Sequence, residues 1–148
     1  MWMLMAAWAG APSGWFAPEV EGYSVERDAT VVHDGSYSAV LRGERGAEGF
    51  ATLLQPLDAS AYRGKRIRFT AWLRTEGVKD WAGAWMRVDV GAQPRAFDNM
   101  QDRALRRDTD WTHVSVVLDV DPQATGLVFG VLLSGTGSLW IDDVHVEE

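Results

Sequence analysis

Residues whose side chains could move a proton or hold a polar ligand are most concentrated in one short run. Residues 98–103 have the sequence DNMQDR and follow a predicted strand where a loop begins. Loops carried by rigid strands often supply binding and catalytic groups. Asp98 is therefore a candidate general acid or base, and Asn99 and Gln101 are candidates to bind a polar ligand. The alternative is a hydrogen-bonded turn in which Asp98 or Asn99 caps backbone groups.

A histidine supplies the second candidate for proton transfer. His113 alternates outward with Ser115 in a predicted strand, and histidine is the side chain that titrates nearest to neutral pH. If the protein is an enzyme, His113 and Asp98 are its candidate catalytic residues, whereas a surface or structural role is the alternative. The chain has no Cys, and its three histidines lack the close spacing of a zinc site.

Tryptophan and arginine form the third candidate group. The chain contains 8 Trp, and Trp often lines binding surfaces. In residues 66–74 and 81–90, apolar residues alternate with polar and aromatic ones, as in half-buried strands. If the two strands are neighbours, one open face carries the ligand-binding candidates Trp72, Trp85, Arg68 and Arg87. The alternative is that loops or a second copy of the chain, in a homodimer, cover this face.

Composition narrows the class of protein. With 148 residues, 47% hydrophobic and 24% charged, the sequence predicts one globular domain over residues 1–148. The net charge of −7 argues against a nucleic-acid partner, which would favour a basic surface. The apolar run at residues 1–9 has no preceding positive charge and is too short to span a membrane. We therefore expect no membrane partner and a cytoplasmic location.

The elements that must position these residues are predicted to be strands. No segment keeps a helical period, and short alternating segments bounded by Gly, Pro, Asp and Ser recur instead, which is typical of a β-sandwich. Residues 134–137 (SGTG) open no helix and are predicted to form a hairpin turn rather than a phosphate-binding loop. The predicted strands are residues 2–8, 23–28, 36–42, 51–57, 66–76, 82–90, 96–100, 112–120, 125–133 and 138–146.

Four motifs give the sequence a family resemblance. They are VHDGSYS at residues 32–38, YRGKRIRFTAWLR at 62–74, DWTHV at 110–114 and LWIDDV at 139–144, together with PSGW at 12–15. In these motifs the chain resembles the galactose-binding-like jelly roll, which carbohydrate-binding modules of the family 4 and 9 type share. The resemblance implies an all-β jelly-roll β-sandwich of two antiparallel sheets.

A closer resemblance covers residues 49–146. The runs DWAGAWMRVD at 80–89, AFDNMQDR at 96–103 and FGVLLSGTG at 129–137 are similar to a bacterial jelly-roll domain that occurs alone or fused behind the DNA-binding domains of transcription regulators. This resemblance implies intracellular binding of a small molecule without naming it. The chain has no helix-turn-helix segment, so direct DNA contact is not implied.

The resemblance to family 4 and 9 modules also raises the question of a structural Ca²⁺. Asp34 and Asp142 stand at the matching places, as does Gly35, but the acidic residue usual in the first strand is missing. Ca²⁺ needs six to eight oxygen ligands. We therefore expect no cofactor, with Asp34 and Asp142 as weak candidates for a structural Ca²⁺ site.

Taken together, the sequence predicts a protein that binds a small molecule, either a sugar or an apolar metabolite, in a cleft lined by Trp and Arg. The aromatic faces would stack on the ligand, and polar groups would orient it. The alternative is a cofactor-independent enzyme that uses the same cleft, such as a cyclase or isomerase of natural-product biosynthesis, since some cyclases resemble this fold. A third alternative is a purely structural interaction domain.

Overall fold

The structure, a computed structural model, describes residues 14–148. Within that range no helix is long and apolar enough to cross a membrane, and helix is confined to two 3-10 turns, Ala59–Ala61 and Gln101–Arg103. The predicted strand at residues 2–8 lies outside the described residues. The strands are β1 (Tyr23–Asp28), β2 (Ser38–Gly43), β3 (Phe50–Leu57), β4 (Arg66–Val90), β5 (Gln93–Asp98), β6 (Leu105–Asp119), β7 (Gly126–Ser134) and β8 (Gly137–Glu147).

The strands form a curled antiparallel sheet with the order β1-β2-β8-β4-β7-β3, to which β5 and β6 add along β4. Strand β4 has 25 residues and divides its pairing. Its residues 66–76 pair with β6 and β8, whereas its residues 81–90 pair mainly with β7 and β5, and the start of β6 reaches Ala82. We call the part built on the first half of β4 leaf 1 and the part built on the second half leaf 2. This architecture confirms the predicted all-β jelly roll.

The two leaves pack face to face around one apolar core. Phe69 of leaf 1 and Phe129 of leaf 2 meet with their ring centroids 4.7 Å apart. Ile67 and Leu73 from the first half of β4 join the same buried cluster, and so does Met86 from the second half. The outer faces of the two leaves therefore point in opposite directions.

The inward face of β4 changes parity as the strand passes between the leaves. Odd-numbered residues face the core up to Thr75, whereas Val78 and the even-numbered residues from 82 to 88 face it further along the strand. The change occurs at Gly77, whose φ of 63° is costly for other residues. Its amide donates a 2.7 Å hydrogen bond to Asp108 Oδ1. The strand pairing is irregular at this point, as at a β-bulge.

Two expectations about connections are corrected. The predicted strands 66–76 and 82–90 are not neighbours but successive halves of β4, because the bulge at Gly77 lets one strand continue from leaf 1 into leaf 2. Residues 134–137 do not close a hairpin, because β7 pairs with β3 and β4 whereas β8 pairs with β2 and β4. They instead link the two leaves.

One glycine on β7 tests the register of leaf 2. A Cβ atom at Gly130 would lie 2.2 Å from the carbonyl oxygen of Leu53 on β3, whereas at Gly126 the nearest atom would be 3.4 Å away. We expect Gly130→Ala to lower the free energy of unfolding by about 2–3 kcal/mol, because the strands must separate to relieve the overlap. Gly126→Ala is the matched control and should change it by less than about 1 kcal/mol. Equal effects in urea denaturation would contradict the β3–β7 register.

Candidate ligand-binding cleft

A concave cleft of about 390 Å³ lies on the outer face of leaf 2. Strands β3, β7, β4 and β5 run side by side there, so that every second residue of each strand faces the cleft. Its lining is mainly aromatic and aliphatic with a few polar groups, which is typical of small-molecule sites. The lining residues are Pro18, Phe50, Thr52, Leu54, Trp81, Trp85, Arg87, Phe97, Asn99, Leu132 and Ser134.

Trp85 forms the floor of the cleft. It pairs across the sheet with Gly130, which has no side chain to obstruct the indole, and Nε1 donates a 2.9 Å hydrogen bond to Thr52 Oγ1 two strands away. Thr52 Oγ1 in turn donates to the Val131 carbonyl at 2.8 Å. Only 8% of Trp85 is exposed. Its indole is thus held in one orientation by hydrogen bonds and by packing.

Two exposed phenylalanines form opposite rims of the cleft. Phe50 on β3 is 60% exposed and Phe97 on β5 is 54% exposed. Burial of apolar side chains is favourable, so two exposed aromatic rings beside a cleft indicate a surface that meets a ligand or partner. Neither residue was among the candidates predicted from the sequence. Their signal was the alternation with the buried Ala51 and Leu53 on β3, and with Ala96 on β5.

Polar groups reach the cleft from β4 and from the loop after β5. Arg87 Nε donates to Asp89 Oδ1 at 3.0 Å and to Oδ2 at 3.2 Å. Asn99 lies at the cleft because its loop folds over Gly83, where a Cβ atom would come within 3.2 Å of the Asn99 carbonyl. Of the predicted ligand-binding residues, the structure thus brings together Trp85, Arg87 and Asn99.

Asp98 does not face the cleft. It pairs with Met86, whose side chain is in the core, so Asp98 lies on the opposite side of β5 from Phe97 and Asn99. Its carboxylate accepts hydrogen bonds from Arg103 Nη2 at 2.7 Å and from the Met100 amide at 2.9 Å. The hydrogen bond from Arg103 is the main cause that holds the pKa of Asp98 below its usual value. Asp98 is therefore a weak base that stabilises a turn.

The loop after β5 is held by one further contact. Met100 adopts a left-handed backbone conformation with φ of 61°, and its buried Sδ accepts the amide of Ala84 at 3.3 Å. The predicted ligand-binding residue Gln101 follows in the 3-10 turn, where it is exposed and does not line the cleft. The reversal of the chain at Met100 turns Gln101 away from the side that Asn99 occupies.

The prediction that Trp72 and Arg68 share a face with Trp85 and Arg87 is wrong. Residues 68 and 72 belong to leaf 1, where β4 pairs with β6 and β8, and their outer face points away from the cleft. The indole of Trp72 is stacked beneath His33, with ring centroids 4.0 Å apart, and its other neighbour is His113 at 5.1 Å.

The two candidate catalytic residues are likewise separated. His113 pairs with Trp72 on the outer face of leaf 1, whereas Asp98 lies on β5 of leaf 2. A general acid and base must both be within hydrogen-bond reach of the reacting group. The structure does not place His113 and Asp98 around a common site.

The carboxylates suggested for Ca²⁺ accept hydrogen bonds from backbone amides in the structure. Both oxygens of the Asp142 carboxylate accept backbone amides: Oδ2 from His33 at 2.9 Å and Asp34 at 3.0 Å, and Oδ1 from Asp143 at 2.8 Å. Asp34 Oδ1 accepts the amide of Gly35 at 2.9 Å. Residues 14–148 contain no cluster of three or more His, Asp or Glu that could hold a metal. Asp142 instead fixes the β1–β2 loop.

Solved structures with a similar fold include carbohydrate-binding modules. The CBM22-1 xylan-binding domain of Paenibacillus barcinonensis Xyn10C superposes with a TM-score of 0.70 and 15% identity, covering 93% of this chain and 87% of that domain. The C-terminal family 22 module of Clostridium thermocellum Xyn10B gives 0.65 and 14%, with 93% and 87% covered. A family 16 module gives 0.64 and 15%, with 92% of each covered. The chain has the jelly-roll fold of carbohydrate-binding modules.

A similar sequence comes from a transcription regulator. The chain is 40% identical over 124 residues to the uncharacterised HTH-type transcriptional regulator YbfP of Bacillus subtilis strain 168. The similarity covers 82% of this chain but 42% of that regulator, so the chain spans about two fifths of its length. No family model matches the chain. The predicted resemblance to jelly-roll domains of the carbohydrate-binding type that occur in regulators is confirmed.

The different burial of two cleft aromatics predicts different effects on stability. We expect Trp85→Ala to lower the free energy of unfolding by about 3–5 kcal/mol, because it leaves a cavity and frees the Thr52 hydroxyl. Phe97→Ala removes a ring that is 54% exposed, so we expect a change within about 0.5 kcal/mol. Urea denaturation of the two variants checks this. Comparable losses would contradict the assignment of floor and rim.

The Asp98–Arg103 ion pair predicts a pH dependence of stability. Because the pKa of Asp98 is lowered in the folded chain, its contribution is present above the unfolded value of about 3.9 and is lost as pH falls through the folded pKa. We expect Asp98→Asn to lower the free energy of unfolding by about 0.5–1 kcal/mol at pH 7, since the pair is partly exposed. In urea denaturation at progressively lower pH, once Asp98 is protonated in both the folded and the unfolded chain, the wild-type and variant curves should converge. A difference that persists unchanged there would contradict the ion-pair assignment.

Proposed function

We propose that the chain binds a carbohydrate in the cleft on the outer face of leaf 2. The observation that carries this proposal is the pair of exposed aromatic rims, Phe50 and Phe97, on either side of a fixed indole at Trp85. Sugar rings have flat faces of C–H groups that stack on aromatic rings, and their hydroxyls need polar partners at the edges. The cleft offers both kinds of contact.

Each part of the cleft has a role in this proposal. Phe50, Phe97 and Trp81 stack on successive sugar rings, and Trp85 supports the rings from below. Asn99 and Arg87 donate hydrogen bonds to hydroxyl or ring oxygens from one side. Residues 81 and 87 are six positions apart on β4, about 20 Å along the strand. The cleft is therefore long enough for a short oligosaccharide.

The comparisons support carbohydrate as the class of ligand and a regulator as the setting. The structures that share the fold include domains described as xylan-binding, and the similar sequence is described as an HTH-type transcriptional regulator. In this proposal the chain works in the cytoplasm, where it reports the presence of a sugar. An apolar metabolite in the same cleft is the competing ligand.

Binding measurements with a panel of oligosaccharides test the proposal. We expect calorimetry and Trp fluorescence to detect at least one ligand among xylohexaose, cellohexaose, mannohexaose and trigalacturonate. Phe97→Ala and Phe50→Ala should each weaken that binding about tenfold, because each removes one stacking contact. Tyr37→Ala is the matched control, since Tyr37 is a 43% exposed aromatic residue outside the cleft.

Two results would contradict the proposal. One is an absence of binding to every oligosaccharide, in which case an apolar dye that binds the wild type and binds Phe97→Ala more weakly would favour the apolar ligand. The other is equal weakening of oligosaccharide binding by Tyr37→Ala and Phe97→Ala, which would place the ligand elsewhere on the protein.

A further inference from the structure

Arg87 is the only charged residue among the described residues that line the cleft. Its side chain is 43% exposed, whereas the side chain of its partner Asp89 is 20% exposed. The cleft wall therefore presents a cation, with the compensating carboxylate set deeper. A planar guanidinium is the protein group best suited to bind a carboxylate through paired hydrogen bonds, so Arg87 favours a ligand that carries one.

The contacts of Arg87 leave one edge of its guanidinium open. Both hydrogen bonds to Asp89 come from Nε, at 3.0 Å and 3.2 Å. Within residues 14–148 the two Nη groups have no hydrogen-bond partner. The pair of Nη groups is the edge that binds a carboxylate through two parallel hydrogen bonds. Asp89 fixes the side chain so that this geometry exists before a ligand arrives.

The surroundings of Arg87 suit a sugar ring that carries a carboxylate. Arg87 pairs across the sheet with Phe97, the rim residue of β5. A ring that stacks on Phe97 would hold its substituents next to the open guanidinium edge. At the other end of the cleft, Ser134 donates its hydroxyl to Asp80, which is not part of the lining. The charge that the described lining presents to a ligand is thus the cation of Arg87.

We propose that the cleft selects acidic carbohydrates, and that the Nη edge of Arg87 binds the carboxylate of a uronic acid residue stacked on Phe97. This inference rests on the proposed function and specifies its class of ligand. It assigns Arg87 the role of a specificity-determining residue. Because Asp89 compensates much of the charge, the preference arises from paired hydrogen bonds more than from long-range attraction.

A matched pair of probes tests this inference. Trigalacturonate and its fully methyl-esterified form have the same rings and linkages and differ in charge. We expect calorimetry at low ionic strength to show the acid binding at least about tenfold more tightly than the ester. Arg87→Gln should reduce that preference to less than twofold, because it weakens binding of the acid more than binding of the ester. Arg87→Lys should give an intermediate preference, because Lys keeps the charge but lacks the planar fork.

Arg68→Gln is the control variant. Arg68 is exposed on the outer face of leaf 1, and its replacement should leave the preference unchanged. Thermal unfolding checks that each variant is folded. If Arg87→Gln does not fold, the reduced preference of Arg87→Lys for the acid over the ester tests the inference.

The outcomes separate this inference from the proposed function. Equal binding of acid and ester, or binding of neutral hexasaccharides alone, overturns the acidic preference and leaves carbohydrate binding intact. A preference for the acid that survives Arg87→Gln overturns the assignment to Arg87. Absence of binding to every oligosaccharide overturns both proposals.

Discussion

The course of β4 is the constraint on which the rest of the structure depends. One strand of 25 residues belongs to both leaves, so the core side of each leaf is set by a single run of sequence. The bulge at Gly77 changes which residues face inward, from Thr75 to Val78. A strict alternation carried through this point would turn Trp85 into the core and Met86 towards solvent. The bulge therefore determines that an indole forms the floor of the cleft.

The aromatic residues on the two outer faces of the sandwich differ in how far the protein itself covers them. On leaf 1 the loop between β1 and β2 folds over the sheet: Asp142 binds the amides of His33 and Asp34, and the His33 ring stacks on Trp72. The face of Trp72 is thus already occupied by the protein itself. On leaf 2 the rings of Phe50 and Phe97 stand exposed beside a concave surface. Leaf 2 thus presents exposed aromatic rings beside a concave surface, where a ligand can cover them.

Much of the fold could be predicted from sequence because period-two alternation reports local geometry. The first predicted strand within the described residues, 23–28, coincides with β1, and the alternation at 67–73 identified core residues correctly. Alternation does not report which strands are neighbours. Trp72 and Trp85 lie on different faces because β4 pairs with β6 and β8 before Gly77 and with β7 after it. This pairing depends on contacts between residues that are distant in sequence.

Only part of the candidate site could be predicted from the sequence, because its residues come from strands and a loop that are distant in sequence. Residues 85, 87 and 99 were chosen for their chemistry, and they lie together because the loop after β5 folds over Gly83. Alternation with buried neighbours places Phe50 and Phe97 on an outer face, but it does not show that this face is concave and left open, which depends on contacts distant in sequence. Asp98 was a candidate general acid or base because it is a carboxylate near a loop, but its ion pair with Arg103 indicates a structural role.

The most direct test of the account is to observe which indoles respond to a bound oligosaccharide. Nuclear magnetic resonance resolves the Nε1–H signal of each tryptophan, and single Trp→Phe variants assign the signals. The account predicts that a bound oligosaccharide shifts the signals of Trp81 and Trp85, which line the cleft, and leaves those of Trp72 and Trp111 unchanged. Shifts at Trp72 and Trp111 with unchanged signals at Trp81 and Trp85 would contradict it.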